Sequence, residues 1–249
     1  MAAIDLNRHG GSVNRRYLGM TTAADKIIVA LDVPSKAEAL RLVEQLQGQV
    51  SFFKIGLQLY TAEGPEIVRA MLAKGAKVFL DLKLHDIPNT VARAVESANN
   101  LGLQLLTIHL SGGSEMIRAA IGAKKGNTSI LGVTVLTSST DGTLREIGID
   151  HQADDQVLRL TKLGVENGID GVVASPHEIK ELRKEFGDKI KIVVPGIRPS
   201  WAEAGDQKRT MTPREAIEAG ADYLVIGRPI TAAKDPREAL ERILEEISK

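Results

Sequence analysis

Cysteine is absent from this chain of 249 residues. Its absence excludes disulfide bonds, thiolate chemistry and zinc sites built from cysteine. Long apolar runs are also absent: none approaches the roughly 18 residues that a membrane-spanning helix needs, and the polar start of the chain has no signal-peptide core. We therefore expect a cytoplasmic protein with no membrane partner.

An excess of either charge is lacking as well. The 32 basic and 32 acidic side chains give a net charge of zero. A chain without net charge gives no reason to expect nucleic acid or an anionic membrane as a partner. No Gly-x-Gly-x-x-Gly sequence follows a candidate strand, which weakens the case for a dinucleotide-binding fold. A small-molecule ligand is the better prediction.

The chain divides into a short extension and one large domain. Residues 1–25 are rich in Gly, Asn and Arg and have no periodic apolar face, which is typical of a terminal arm. Residues 26–249 are too many for an ordinary domain but normal for an α/β barrel. A hydrophobic content of 43% is ample for a large core.

From Lys26 onward, short β-rich runs alternate eight times with segments of helical period. The candidate strands are Lys26–Asp32, Phe52–Leu57, Lys77–Leu84, Leu105–Leu110, Ser129–Leu136, Gly171–Ser175, Lys191–Gly196 and Tyr223–Gly227. Glycines stand where helix C-caps belong, at Gly75, Gly102, Gly168 and Gly220. Eight strand-then-helix units predict a single closed (β/α)8 TIM barrel, with an open doubly wound sheet as the weaker alternative.

Two connections are long, from Thr137 to about Asp154 and from Ile197 to Met211. Both follow the carboxyl ends of candidate strands, the face on which barrel enzymes place their chemistry. Long structureless connections in a compact domain are usually functional, although a tolerated surface insertion is the alternative.

A D-x-K-x-x-D pattern, formed by Asp81, Lys83 and Asp86, lies on a strand that otherwise reads as buried. Side chains alternate along a strand, so Asp81 and Lys83 point to the same side as Phe79. Burying ions is costly, and chains seldom keep an ion pair inside for stability alone. Charged residues fill about a quarter of an average chain, so chance is the alternative explanation.

Two further charged residues support a polar site. Asp32 ends the first candidate strand and Lys54 lies on the second, while Asp81 and Lys83 lie on the third. Three neighbouring strands therefore contribute four charged residues of alternating sign. A single charge on a barrel strand is often part of a structural ion pair, whereas a cluster in a cleft is a candidate functional site.

A phosphate site is predicted near the last strand. Gly227 lets backbone N–H groups approach an anion, and Arg228 can bind phosphate oxygens through two N–H groups. The loops after strands seven and eight are the common phosphate site of these barrels. Arg198 and Gln207 lie on the long loop that precedes this strand.

Taken together, these residues resemble the orotidine 5′-phosphate decarboxylase family, especially its bacterial form. The matching segments cover most of the chain from Ile28 onward, with no departure at a position that matters, and residues 1–25 are unmatched. The segments are 29–32, 53–56, 81–90, 133–137, 195–198, 205–207 and 226–228.

The resemblance implies decarboxylation of orotidine 5′-phosphate to UMP through a C6 carbanion, with no metal and no organic cofactor. It assigns Lys83 to stabilise and protonate C6, and Asp81 to keep Lys83 charged and aimed. Lys54 extends the same network. Residues 197–211 would close over the substrate once its phosphate is bound.

The substrate contacts that the resemblance implies fall into three groups. Asp32 and Lys54 bind ribose hydroxyls, with Thr137 nearby. Asp86, Ile87 and Thr90 cross the interface of a homodimer into the partner's active site. The phosphate would be held by Gln207, Gly227 and Arg228, with Arg198 in the same group.

His109 shares its strand face with Thr107 and is interpreted as a hydrogen-bonded barrel histidine, and His85 as a residue that positions the turn between Asp81 and Asp86. No pair of such residues has the spacing or the neighbouring carboxylates of a typical metal site.

Two other functions stay open. One is a magnesium-dependent sugar-phosphate lyase or decarboxylase of the same barrel group, in which a carboxylate ligand stands about where Lys54 stands here. The other is a non-catalytic nucleotide-binding barrel, which would be expected to lose Lys83 or its partners.

Overall fold

The computed structural model describes residues 22–202 and 210–248. Its centre is a closed barrel of parallel strands in the order β1 to β8, with β8 paired to β1. The strands are β1 (Ile27–Ala30), β2 (Phe52–Gly56), β3 (Lys77–Leu84), β4 (Leu105–His109), β5 (Ser129–Val133), β6 (Gly171–Val173), β7 (Lys191–Val194) and β8 (Tyr223–Ile226). The predicted (β/α)8 barrel is confirmed.

Helices surround the barrel and connect its strands. They are α1 (Lys36–Leu46), α2 (Leu57–Glu63), α3 (Pro65–Ala73), α4 (Pro88–Asn99), α5 (Gly113–Gly122), α6 (Asp141–Glu146), α7 (Ala153–Glu166), α8 (Ile179–Phe186), α9 (Pro213–Ala219), α10 (Arg228–Thr231) and α11 (Pro236–Ser248). Among the residues described, no helix is both long and apolar enough to span a membrane.

The core has two layers that follow from strand alternation. Outward-facing side chains such as Val29, Phe53 and Leu80 pack against the helices in one large cluster. Inward-facing side chains fill the barrel: Ile28, Ala30, Phe52, Phe79, Leu105, Leu131, Val193 and Val225. Asp32, Lys54, Asp81 and Lys83 lie further towards the carboxyl ends of the strands than this apolar filling, and a site can form there.

Local signals set the ends of several helices. The four glycines predicted at C-caps all have positive φ, a conformation that glycine adopts without steric penalty. Thr212 caps α9 by accepting a hydrogen bond from the Glu215 N–H, and the Glu215 carboxylate accepts one in return from the Thr212 N–H. This reciprocal pair is the capping box that the sequence indicates.

The prediction of a structureless connection after β5 is wrong in part, because α6 lies within it. The Thr140 side chain caps this short helix by accepting from the Thr143 N–H. The second long connection begins and ends in a β-bridge between Ile197 and Met211, closed by a hydrogen bond of 3.0 Å from the Arg198 N–H to the Met211 carbonyl. Both ends of that loop are therefore fixed beside the mouth of the barrel.

Candidate active site

A cavity of about 320 Å³ opens at the carboxyl ends of the strands. This volume is at the lower end of the range for small-molecule sites. Among the residues that line the cavity are eight of those predicted from the sequence, namely Asp32, Lys54, Asp81, Lys83, Thr137, Arg198, Gly227 and Arg228. The fold thus brings residues from six strand ends and loops to one site.

The four charged residues on the first three strands form a continuous row. The Lys54 Nζ lies 2.9 Å from Asp32 Oδ1 and 3.8 Å from Asp81 Oδ2. The Lys83 Nζ donates to the same Asp81 Oδ2 at 2.8 Å. Each charge therefore has a neighbour of opposite sign, which offsets the cost of removing the charges from water.

Burial differs along this row. The side chains of Lys54 and Asp81 are only 11% and 13% exposed, whereas that of Lys83 is 28% exposed and that of Asp32 is 60% exposed. The inner pair therefore has a fixed geometry, and the Lys83 ammonium can still reach a bound ligand. Asp32, at the rim, is placed to contact a hydroxyl-bearing part of that ligand.

Gly56, at the end of β2, is a residue whose role sequence reasoning missed. A Cβ atom there would lie 2.9 Å from Lys54 Nζ and 3.1 Å from Asp32 Oδ1. Because the ion pair passes over this glycine, a larger residue would force the pair apart. The sequence shows the glycine in the segment Phe53–Gly56, but the need for a glycine there depends on a contact between residues of two strands.

β3 carries an irregularity beside the cavity. Its register with β4 shifts between Leu80 and Leu84. Lys83 lies in this bulge with φ of 53°, and it is the one non-glycine residue with positive φ in the described part of the chain. Bulges of this kind are frequent next to active sites, where they re-aim a side chain.

The part of the cavity formed after β7 and β8, next to β1, is basic. Arg198 follows β7, and Arg228 is the first residue of α10, directly after β8 and Gly227. Counting the lining residues, four are basic and two are acidic, which leaves a formal excess of two positive charges. The cavity is therefore suited to a ligand with several negative charges. Gln207 lies outside the described residues.

Three predicted residues do not line the cavity of their own chain. Asp86, Ile87 and Thr90 lie at the rim, after β3 and at the start of α4, and all three are exposed. Ile87 is 66% exposed, which is unusual for a large apolar side chain. The predicted contribution of these residues to a partner's active site stays a prediction.

His85 and His109 lie near each other, with ring centroids 5.4 Å apart, and neither lines the cavity. Burial is the main cause that lowers the pKa of His109, with smaller contributions from His85 and Lys83, while Asp81 opposes the shift. Within residues 22–202 and 210–248, no group of three His, Asp or Glu side chains is arranged to hold a metal ion.

An apolar wall completes the cavity, and sequence reasoning did not assign it. Its members are Ala30, Phe79, Val133, Leu136, Val173, Pro195 and Val225. Most of them are inward-facing strand residues, so the alternation pattern contained the signal. A wall of this kind suits an apolar or flat part of a ligand.

Comparison with known proteins gives a consistent picture. Residues 25–243 match the model of the orotidine 5′-phosphate decarboxylase / HUMPS family. The orotidine 5′-phosphate decarboxylase of Trichlorobacter lovleyi is 50% identical over 231 residues, which cover 90% of this chain and 96% of that protein. The enzyme of the same name from Pelobacter propionicus is 51% identical over 230 residues, covering 90% of this chain and 96% of its own length.

A solved structure agrees with these sequence matches. The crystal structure of orotidine 5′-phosphate decarboxylase from Lactobacillus acidophilus superimposes with a TM-score of 0.80 at 37% sequence identity. The alignment covers 90% of this chain and 99% of that one. Sequence and structure therefore point to the same group of proteins.

Proposed function

The chain belongs to the orotidine 5′-phosphate decarboxylase / HUMPS family, and from this premise we propose that its cavity converts orotidine 5′-phosphate to UMP, with Lys83 as the acid and without a metal or organic cofactor. The names of its relatives support this activity and its place in pyrimidine biosynthesis. One observation supports the role of Lys83 above all: its Nζ lies 2.8 Å from Asp81 Oδ2 on the cavity wall.

The proposed reaction breaks the bond between C6 and the carboxylate carbon. The electron pair stays on C6 as CO2 leaves, and no adjacent π system delocalises it. The Lys83 ammonium stabilises this developing charge and then gives a proton to C6, so UMP and the neutral amine are formed. Solvent returns a proton to the amine before the next turnover.

Asp81 has two effects in this scheme. Its Oδ2 holds the Lys83 ammonium at one side of the cavity. In this scheme the same carboxylate is beside the leaving carboxylate of the substrate, so that departure of CO2 relieves a repulsion between like charges. Lys54, at 3.8 Å from the same oxygen, limits that repulsion and keeps Asp81 in place.

The remaining contacts bind the ligand. Asp32 and Lys54 form an ion pair, exposed on the Asp32 side, that suits ribose hydroxyls, and Thr137 lines the same cavity. Arg198, Gly227 and Arg228, with Gln207, bind the phosphate. Binding energy gathered at this remote group is available for positioning the ring against Lys83.

We also propose that the active unit is a cytoplasmic homodimer with shared sites. Asp86, Ile87 and Thr90 are exposed at the rim of the barrel and do not line the cavity of their own chain. Ile87 is available there to contact a partner subunit, and its exposed apolar side chain would be buried in the dimer. In the dimer, Asp86 would join the charged row of the partner.

A magnesium-dependent sugar-phosphate enzyme of the same barrel group is the second candidate, since the family model covers HUMPS proteins as well as orotidine 5′-phosphate decarboxylases. The ion pair between Lys54 and Asp32 argues against it. A lysine ammonium at 2.9 Å from a carboxylate occupies the space that a cation would need beside that oxygen. The relatives named above are decarboxylases of the nucleotide, which also argues against a non-catalytic barrel.

Loss of absorbance of orotidine 5′-phosphate tests the proposal. Purified protein is assayed as isolated, after exhaustive treatment with EDTA, and after magnesium is added back. We expect equal turnover in the three samples. Absence of turnover with the nucleotide would contradict the proposed activity. Inactivation by EDTA that magnesium reverses would favour the alternative function, a magnesium-dependent sugar-phosphate enzyme.

A further inference from the structure

We propose that Thr107 on β4 is a positioning residue that fixes the relative geometry of Lys83 and Asp81. The inference rests on the proposed function and adds a residue that lies behind the cavity wall. Thr107 is completely buried, at 0% exposure, and it does not line the cavity. It therefore acts on the substrate only through its neighbours.

The Thr107 hydroxyl makes two hydrogen bonds whose directions are fixed by chemistry. The backbone N–H of Lys83 can only donate, and it donates to Thr107 Oγ1 at 2.8 Å. An ionised carboxylate can only accept, so the hydroxyl donates its proton to Asp81 Oδ1 at 3.0 Å. One buried hydroxyl thus links the backbone of one residue to the side chain of the other.

The bulge explains why the Lys83 N–H needs this partner. Leu80 pairs with Leu106 and Leu84 pairs with Ile108, so three residues of β3 lie opposite Thr107 alone. The ladder cannot supply regular partners for all of them. Lys83 also adopts φ of 53°, a conformation that is strained for a residue with a Cβ atom. A buried acceptor at the right distance holds that conformation in place.

The second hydrogen bond orients the Asp81 carboxylate. Its Oδ1 is occupied by Thr107, so its Oδ2 faces the two ammonium groups, at 2.8 Å from Lys83 and 3.8 Å from Lys54. Without the hydroxyl, the carboxylate is free to rotate and the Lys83 backbone is free to relax. Both changes move the ammonium away from the position where it meets C6.

Replacement of Thr107 by valine tests this role, because valine has nearly the same shape and lacks the hydroxyl. Thr107→Ser keeps the hydroxyl and loses only a methyl group. Thr161→Val is the matched control: Thr161 is also at 0% exposure, and its Oγ1 has no hydrogen-bond partner among the described residues. For each variant we would measure kcat, KM for orotidine 5′-phosphate, the Kd of UMP, and the thermal midpoint.

We expect kcat of Thr107→Val to fall by about 10- to 100-fold, the size of effect that a misplaced catalytic group produces. The Kd of UMP should change little, since none of the groups proposed to bind its phosphate or ribose depends on this hydroxyl alone. Thr107→Ser should recover most of the loss in kcat, and Thr161→Val should match the wild type.

The inference is overturned if Thr107→Val keeps wild-type kcat, or if Thr107→Ser is as impaired as Thr107→Val. A crystal structure of Thr107→Val decides the matter independently of activity. We expect φ of Lys83 to leave the left-handed region and the contact between Lys83 and Asp81 to lengthen. An unchanged geometry contradicts the inference, whereas an inactive wild-type protein contradicts only the proposed function.

Discussion

At the scale of single residues, we expect the basic part of the cavity to make a separable contribution to binding. We expect Arg228→Ala to weaken binding of orotidine 5′-phosphate while changing decarboxylation of the nucleoside without phosphate only slightly. Loss of a charge-assisted hydrogen bond costs about 1.5–3 kcal/mol. Steady-state kinetics with both substrates measure this difference.

A surface arginine serves as the control for that substitution. Arg237 on α11 has a side chain that is 55% exposed, and its partner is Glu241, away from the cavity. Arg237→Ala should behave like the wild type with both substrates. If Arg228→Ala impairs the two substrates equally, Arg228 is not a phosphate ligand.

The shifted pKa of His109 predicts how stability depends on pH. Burial lowers this pKa in the folded state, whereas the unfolded chain protonates a histidine near pH ~6.5. The unfolded state therefore binds more protons in this range, so the contribution of neutral His109 to stability is present above pH ~6.5 and is lost as the pH falls towards the folded-state pKa.

Urea unfolding of the wild type and of His109→Gln at pH 7.5, 6.5 and 5.5 tests this sign. We expect the wild type to lose more stability than the variant as the pH falls. His151→Gln, at an exposed position, is the control and should follow the wild type. A steeper loss in His109→Gln than in the wild type would contradict the assignment.

Individual site residues were predictable from the sequence when their chemistry was visible in the residue type. Lys54, Asp81 and Arg228 are charged residues next to apolar strands, and the structure places all three around one cavity. Gly56 and Thr107 were not predicted. Their roles depend on distances to other strands, which the register of the folded barrel sets and residue type does not reveal.

At the scale of elements, the strand β6 depends on a glycine at its first position. A Cβ atom on Gly171 would lie 2.5 Å from the carbonyl oxygen of Lys191 and 2.8 Å from the Cβ atom of Lys191. Because the first of these atoms belongs to the backbone of β7, it cannot move aside cheaply. We expect Gly171→Ala to lower the free energy of unfolding by about 1–3 kcal/mol.

Chemical denaturation of this variant should be compared with Gly122→Ala. Gly122 is the last residue of α5, and a Cβ atom there meets nothing within 4 Å. Alanine favours helix over glycine, so this control should be at least as stable as the wild type. If the two variants have equal stability, the close approach between β6 and β7 is wrong.

Element positions followed from sequence more readily than element details did. All eight predicted strands exist, but several predicted ends ran past the observed ones, as at Asp32 and Leu136. Apolar residues continue beyond the last ladder hydrogen bond because the mouth of the barrel is still packed. The bulge at Lys83 was not predicted. Strict alternation along a regular strand already places the side chains of Asp81 and Lys83 on the same side, so the sequence pattern gave no reason to expect a bulge.

At the scale of the whole molecule, the regular spacing of strands and helices was sufficient to predict the closed barrel. Eight repeats with short connections have few alternative arrangements that cover every strand on both sides. Assembly is different, because an interface depends on the shape of an exposed surface. The exposure of Asp86 and Ile87 agrees with their expected place at an interface, but the interface itself stays a prediction.

Subunit mixing tests the proposed shared site. Lys83→Ala and Asp86→Ala proteins, each expected to be inactive, are mixed and allowed to exchange subunits. A mixed dimer then has one site without both groups and one site with Lys83 from one chain and Asp86 from the other. At equal mixing about half of the dimers are mixed, so recovery to roughly a quarter of wild-type activity is the ceiling.

The control for mixing pairs Lys83→Ala with a protein that carries both substitutions, which cannot form an intact site. It should remain inactive. Demonstrated exchange without any recovery in the first mixture would mean that Asp86 serves its own chain, and the shared site would be wrong.

Turnover of orotidine 5′-phosphate by Lys83→Ala, measured in the presence of EDTA, tests the central claim most directly. Lys77→Ala is the control, since Lys77 is an exposed residue at the other end of β3. We expect Lys83→Ala to lose several orders of magnitude in kcat while UMP binding remains measurable, because the lysine acts on charge that exists only in the transition state. Retention of about a tenth of wild-type turnover would contradict the role of Lys83 and the mechanism built on it.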